Sequence, residues 1–418
     1  MWAWAARSAI ALIAAATLAA CGTQPETGPP PAPAPSSSAQ PPAGLASVLL
    51  QVPDRFAQAP LDEPRQALIP AGWTIEVIAR VPKARMAAFA PDGALLVSVP
   101  ASGQVLTVRP DQRTLLDGLE QPHGLFFTGS TLYVAESNRV DAYDYVDGRA
   151  VNRRTVAGDL PDAKSPELHG AYSHALKSVV VGTDGAVYFS IGSTGNVSAE
   201  DRSATPPRAT IMRVPPGGGP AAPFATGVRN GTGLALAPDG ALWTAVNNRD
   251  NVPDPQGRVR QEYVDDHPPE SVAKLTPGRE LGWPYCNPDG PPPAGFIRDL
   301  ETNADGSKMD CAALAPVEQT LGAHSAPLGM SFAELPPPYG PGALVGVHGS
   351  WNRQAPQAPE VSFFGWHNGE LGPQQTLVSG FQAGDGTRWG RPVAAVVGPD
   401  GAVYITDDYA GAVYRLGP

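Results

Sequence analysis

A tight glycine turn followed by a short strand of alternating residues recurs six times along this chain, and few folds accommodate such a unit. The copies are Asp92-Gly93 before residues 94–99, Thr128-Gly129 before 130–136, Asp184-Gly185 before 186–193, Asp239-Gly240 before 241–246, Gly340-Pro341-Gly342 before 343–348, and Asp400-Gly401 before 402–407. Glycine supplies the positive φ of a hairpin turn, and a period-two pattern turns one face of each strand towards a core. From glycine to glycine the spacings are 36, 56, 55, 102 and 59 residues. No long 3.6-residue periodicity with helix caps interrupts residues 45–418. Strand repeats of this period predict an all-β, six-bladed β-propeller, with a solenoid or several sandwiches as the other architectures open to such a pattern. The 102-residue interval predicts a long loop insertion between the fourth and fifth repeat turns, near residues 247–325. A strand over 70–79 and another over 411–416 stand ready to close the ring by pairing in one blade.

The first residues carry a different message. Arg7 and the apolar run 9–20 make an export signal too short to span a bilayer comfortably. It ends in Leu18-Ala19-Ala20-Cys21, which resembles a bacterial lipobox, an ordinary signal peptide with an incidental cysteine being the alternative. In a lipobox the cysteine is diacylated and the chain is cut just before it. Gly22 in place of Asp favours the outer membrane by the same resemblance. Residues 22–44 are Pro-, Ala- and Ser-rich, a tether that cannot pack a core. The expectation is a periplasmic, lipid-anchored protein with its propeller over 45–418. In that oxidising compartment Cys286 and Cys311 are most simply a disulfide. A net charge of −11 argues against nucleic acid or an anionic membrane face as the main partner, leaving the anchor as the membrane contact.

Polar residues beyond the needs of strands and turns fall at one phase, beside the repeat strands. His174 lies in a loop entering the strand pair over 178–193, and histidine is the side chain best suited to trade a proton near neutral pH. Arg229-Asn230 offers a donor fork beside an amide, suited to carboxylates or quinone oxygens. Asn247-Asn248-Arg249-Asp250-Asn251, with Asp254, Asp265, Asp266 and Glu270 downstream, is oxygen-rich in the manner of a hard-cation site, or of a solvated loop. His324, the run His348–Arg353 and Arg388-Trp389-Gly390-Arg391 complete the set. In a propeller this phase puts them around one mouth of the channel. No nucleophile elbow, phosphate loop, dinucleotide fingerprint or haem-attachment pair is present.

With these residues in view, the chain from about Leu68 resembles the soluble pyrroloquinoline-quinone-dependent glucose, aldose sugar and sorbosone dehydrogenases. The resemblance is carried by Ala84-Arg85-Met86, His174 with Leu176-Lys177, the run 188–193, the run 208–213, Arg229-Asn230, Gly282-Trp283-Pro284-Tyr285-Cys286, the run 324–329, the run 348–353, Trp389-Gly390-Arg391-Pro392-Val393 and Thr406-Asp407-Asp408. It implies a six-bladed propeller that oxidises an aldose or sorbosone-like aldehyde with pyrroloquinoline quinone and Ca²⁺. Electrons then leave to a separate acceptor, a cytochrome or a quinone. His174 matches the general base. Arg229 and Asn230 match groups on the quinone oxygens, and Arg391 an arginine on a cofactor carboxylate. Arg353, His324 and Asp407 fall on the cofactor side, and the backbone carbonyls of Asn248 and Arg249 fall where Ca²⁺ is held. Ser173, Asn247 and Gly322 depart from the glucose enzymes, Gly322 standing where those have a substrate-side Trp. A Ca²⁺-dependent lactonase or hydrolase and a non-catalytic surface binding module are the rival readings.

Overall fold

Six antiparallel sheets are laid down one after another from the axis outward. The computed structural model describes residues 44–418, so the signal, Cys21 and the tether up to residue 43 lie outside the described residues. Blade one contains Ala87–Phe89, Leu95–Val99, Gln104–Arg109 and Arg113–Leu116. Blade two contains Leu125–Thr128, Thr131–Ala135, Val140–Val146 and Arg149–Ala157. Blade three runs Val179–Val181, Val187–Ile191, Thr210–Val214 and Ala222–Thr226, with the short Arg279–Glu280 added at its edge. Blade four has Gly233–Leu236, Leu242–Val246, Glu270–Leu275 and Gln319–Leu321. Blade five has Pro327–Leu335, Gly340–Val347, Glu360–His367 and Glu370–Val378.

Blade six takes Pro392–Val397, Val403–Asp407 and Ala412–Gly417 from the end of the chain and its outer strand, Thr74–Arg80, from the beginning. Leu416 lies opposite Ile75 and Tyr414 opposite Val77, so no open edge remains where the ring closes. The Arg80 guanidinium knots this seam, donating to the carbonyls of Phe56, Gln58 and Ala410 at 2.9, 2.8 and 3.0 Å. The six-bladed propeller predicted from the repeats is the fold.

Packing explains why some strands alternate in sequence and yet read as continuous apolar runs. The second strands of blades one, four and six, Leu95–Val99, Leu242–Val246 and Val403–Asp407, are buried at every position, because each blade is covered on both faces by its neighbours. Each buried Val or Leu contributes about 1.5–3 kcal/mol relative to exposure. Inner strands of adjacent blades touch, and where blade five meets blade six the fit depends on glycine: a Cβ at Gly346 would lie 2.2 Å from the carbonyl oxygen of Val393.

Two details differ from the sequence reading. The fifth turn is made by residues 336–339, and Gly342 sits inside the strand Gly340–Val347, because Pro336 to Pro338 cannot continue a ladder and so set the turn earlier. The expected insertion between the fourth and fifth turns is interrupted by the blade-four strand Glu270–Leu275, whose alternating Val272 and Ala273 neighbourhood pairs with Leu242–Val246. What remains are two excursions, 247–269 and 276–318. The second holds the hairpin Cys286–Asp289 with Gly295–Arg298 and the disulfide Cys286–Cys311.

That disulfide closes a loop with a sequence separation of 25 residues. In the chain-entropy account such a loop is worth about 3 kcal/mol. Replacing Cys311 with Ser should therefore lower the thermal midpoint and make 276–318 the first segment cut by a protease. Peptide mapping without reductant should recover Cys286 and Cys311 joined, and finding both as free thiols in exported protein would contradict the pairing.

Candidate active site

Because every blade begins at the axis, all six inner strands run in the same direction, and their first residues meet at one mouth. Arg85, His123, His174, Arg229, His324 and Arg391 each stand one to five residues ahead of an inner strand, one per blade. The segments following the second strands return to the same mouth and bring Asn247 to Asp250, His348 and Asp408. Two polar clusters result.

The first cluster draws on blades three, four and five. His174 is half-buried, with Nδ1 at 2.9 Å from the Ser193 hydroxyl and 3.1 Å from the Ser193 carbonyl. The Ser193 hydroxyl already donates to the carbonyl of Gly195 at 2.8 Å. Nδ1 must therefore carry the proton, and Nε2 is left with its lone pair. Burial, and then the Arg229 charge, push the His174 pKa down to about 3, so the ring is neutral at working pH. Gly192 lets this happen, since a Cβ there would lie 2.6 Å from His174 Cβ and 3.2 Å from Asn230 Oδ1.

Arg229 is buried and spends its donors on carbonyl oxygens: Asn196 at 3.2 Å, Asn247 at 3.1 Å and Asn248 at 2.7 Å, with the Asn196 amide oxygen at 3.0 Å. Burial lowers its pKa from the ordinary arginine value. The carbonyl of Asn248 thus points at a positive group, as does that of Asn247. The Arg249 side chain turns the other way, onto Asp299 and Glu301 in the second excursion. Asp250 lies between Arg229 and His324, at 3.6 and 3.3 Å. His324 donates through Nε2 to the Val264 carbonyl at 2.7 Å. Burial opposes its charged form, but the Asp250 and Glu270 carboxylates outweigh that and raise its pKa. His324 and Ala326 both hold positive φ, 60° and 55°, a strained entry of the kind found at functional sites. Buried Glu270, pushed up to about 7 by desolvation, takes the Asn248 amide hydrogen and faces the amide of Ala326, tying loop 247–250 to blade five.

The second cluster draws on blades one, two, five and six. Asp408 is its one carboxylate, 2.9 Å from Arg85, 2.7 Å from Arg391 and 3.5 Å from His348 Nε2. Arg388 donates to the carbonyls of Ser350 and His348. Burial and the Arg85 charge push His123 down to about 3; burial and the neighbouring arginines push His348 well down too. Arg85 Nε, His123 Nε2 and His348 Nε2 are buried without a hydrogen-bond partner. The neutral His123 ring donates its Nδ1 hydrogen to the Lys177 carbonyl at 3.2 Å and so presents a lone pair at Nε2, whereas the orphaned Arg85 Nε–H beside an arginine excess is what a bound anion would satisfy.

Among the sequence candidates, His174, Arg229, Asn230, Asn248 and His324 converge in the first cluster and Arg391 in the second. Arg353 lies on the rim, donating to the Ala323 carbonyl at 3.2 Å. Asp407 stands behind the wall: it is wholly buried and accepts from the amides of Arg391, Tyr409 and Ala410 and from the Tyr414 hydroxyl. It shapes the strand end that presents Asp408 and Arg391. The carboxylates after Asn251 do not gather: Asp254 pairs with Arg260, Asp265 accepts from Gln261, and Asp266 is exposed. Among the described residues no group of three His, Cys, Asp or Glu could hold a metal. His123 was not singled out by sequence, although Gln121-Pro122-His123-Gly124 sits at the phase of Gly322-Ala323-His324.

Residues 67–418 match the family described as TrAA12-like. The fold is similar to the holo pyrroloquinoline-quinone domain of a pyranose dehydrogenase from Coprinopsis cinerea, with TM-score 0.71, 20% identity, and coverage of 89% of this chain and 100% of that one. It is similar to a calcium structure of a Trichoderma reesei carbohydrate-active enzyme of family AA12, with TM-score 0.66, 19% identity, and coverage of 84% and 96%. A PQQ-bound aldose sugar dehydrogenase from Streptomyces coelicolor follows, with TM-score 0.52, 15% identity, and coverage of 84% and 100%. An uncharacterized protein of Borreliella burgdorferi is 28% identical over 198 residues, 46% of this chain. The chain spans about half the length of that curated relative, 48%.

The buried rings set an acid limit on stability. In the unfolded chain a histidine takes a proton near pH 6.5, whereas folded His123 does so only near 3. Its contribution is therefore intact above about pH 6.5 and is lost as the pH falls towards 3, at up to about 1.4 kcal/mol per pH unit. Above pH 6.5 the denaturant midpoints of wild type and His123→Gln should change with pH at the same slope, and between pH 6 and 4 the variant should lose stability less steeply. Parallel slopes in that window would mean that His123 titrates normally.

Proposed function

The chain belongs to the TrAA12-like family, and from that premise we propose that it is a sugar dehydrogenase that oxidises an aldose or a related aldehyde sugar with pyrroloquinoline quinone and Ca²⁺. Electrons then pass to a separate acceptor, a cytochrome or a quinone. The observation that carries the reading is the pairing of one neutral, oriented histidine with a bank of three arginines, one of whose nitrogens, Arg85 Nε, is buried without a partner.

The residues fit both groups. A quinone with three carboxylates calls for several positive donors, and Arg85, Arg388 and Arg391 would hold it. The carbonyls of Asn248 and Arg249 would serve a hard cation, that of Asn248 through the lone pair left beside the hydrogen bond it accepts from Arg229. When bound, the quinone supplies the hydride acceptor and the cation polarises it. His174 accepts the proton of the sugar hydroxyl at Nε2. Ser193 holds the ring in the tautomer that makes this possible, and burial keeps it unprotonated. Arg229 and the Asn230 amide, beside His174, stabilise negative charge at the reacting end of the site. Asp250, shared with His324, keeps Arg229 in register.

Reconstitution tests this. Protein prepared without cofactor should reduce a dye in a sugar-dependent manner only after addition of pyrroloquinoline quinone and Ca²⁺. His174→Ala should retain quinone binding in a titration while turnover falls by a factor on the order of 100 to 10,000. Arg229→Ala should lose quinone affinity as well as rate. A folded His174→Ala protein that binds quinone and turns over like wild type would remove His174 from the mechanism.

The same function is set at the periplasmic face of the outer membrane by the lipobox reading of Leu18 to Cys21. Cys21→Ala should abolish palmitate labelling and release the protein from membranes. A wild-type protein that never takes up labelled palmitate would refute the anchor.

A further inference from the structure

The two excursions of blade four enclose an open cleft of about 740 Å³ that the proposed chemistry does not use. Its size lies within the roughly 300–1,000 Å³ typical of small-ligand pockets. One wall is the helical turn Gln261–Val264 with His267, and the Tyr263 and His267 rings stack at 3.9 Å between centroids and 4° between planes. The other wall is the hairpin and disulfide segment, with Phe296, Leu300 and Met309. Asp254 and Asp289 also line it.

The chemistry of this lining selects its ligand. Asp254 is already held by Arg260 at 2.6 Å, and Asp289 lies 3.3 Å from His267 Nε2. Asp254 is wholly buried and its oxygens accept from the amides of Gln256 and Arg258 as well as from Arg260, so it takes no ligand itself and serves to repel an anion. Asp289, whose side chain is partly exposed, still offers lone pairs to hydroxyl hydrogens, next to aromatic and thioether surface that takes C–H faces. Hydroxyls around the rim of an apolar-faced ring describe a neutral carbohydrate.

Both walls are tied to segments that line the mouth. Val264, next to Tyr263, accepts the His324 Nε2 hydrogen. Asp299 and Glu301, on either side of Leu300, hold Arg249, the neighbour of Asn248. We propose that this cleft binds a second sugar unit, so that the protein takes an oligosaccharide with its reducing end at the channel mouth and an inner residue against Tyr263, a specificity that rests on the sugar-oxidation reading above.

Calorimetry and saturation-transfer NMR on the full-length protein without cofactor, using cellotetraose, maltotetraose and glucose as probes, test the cleft apart from the chemistry. At least one tetrasaccharide should bind more tightly than glucose, and Tyr263→Ala and the isosteric Asp289→Asn should each weaken it. After reconstitution, kcat/KM should favour that tetrasaccharide over glucose by about tenfold, the ratio one good aromatic contact supports. Both variants should erase this preference and leave kcat for glucose unchanged. Since Tyr263→Ala could disturb the helical turn, Asp289→Asn keeps the test decisive if the first variant melts early. Tetrasaccharide binding with no oxidation of any sugar would overturn the dehydrogenase reading and leave the cleft standing. Oxidation of glucose with no tetrasaccharide preference, or binding untouched by both variants, would overturn the cleft.

Discussion

All six inner strands must run the same way around the axis, because each blade is built outward from the channel and the next blade starts again at the centre. The entry to every inner strand is thereby delivered to one mouth, whatever the side chain there. This topological constraint lets residues as far apart in sequence as Arg85 and Asp408 form an ion pair at 2.9 Å. It also depends on the seam between Thr74–Arg80 and Ala412–Gly417, since a ring that opened there would separate Arg85 from Asp408. The stability of the site and the closure of the fold are the same problem.

Within the mouth, local electrostatics divide chemically similar groups. His174 and His324 both sit at strand entries of the first cluster, yet they are driven in opposite directions. His174 faces a serine and the Arg229 charge and stays neutral; His324 faces Asp250 and Glu270 and is raised. A neutral imidazole with a free lone pair can take a proton, whereas one held between a carboxylate and a carbonyl orients its neighbours. Across the channel the same burial acts on His123 and His348 with arginines as neighbours, so that bank holds positive charge on arginine and leaves imidazole nitrogens free. Three environments thus assign three tasks to one residue type.

Much of this was legible in the sequence, and the reasons are physical. The Asp-Gly turns and the alternating strands after them report local backbone requirements, so the blade count and the phase of His174, Arg229, His324 and Arg391 could be read directly. What could not be read depends on contacts between distant segments. His123 has a polar neighbourhood only because blade one brings Arg85 beside it. Asp407 and Asp408 are adjacent and chemically identical, and only the backbone amides that Asp407 accepts show that it is spent on the fold while Asp408 faces the arginines. The strand Glu270–Leu275 was hidden inside a Pro-rich stretch because six residues are too few to stand out when the loops around them are long.

The excursions of blade four then carry more than length. A loop that only decorated the rim would be free of the channel, but here Arg249 ties one excursion to Asp299 and Glu301 of the other, and Glu270 ties the first to the entry of blade five. The disulfide closes the second excursion on itself, and Asp289 of its hairpin lies 3.3 Å from His267, beside the helical turn that contacts His324. Rigid attachment at both ends means that a ligand lodged between the excursions is registered against Asn248 and His324 by covalent and ionic links rather than by chance. A scaffold whose blades are set by repeated turns can thus keep its reacting groups constant and change what it accepts through a single blade.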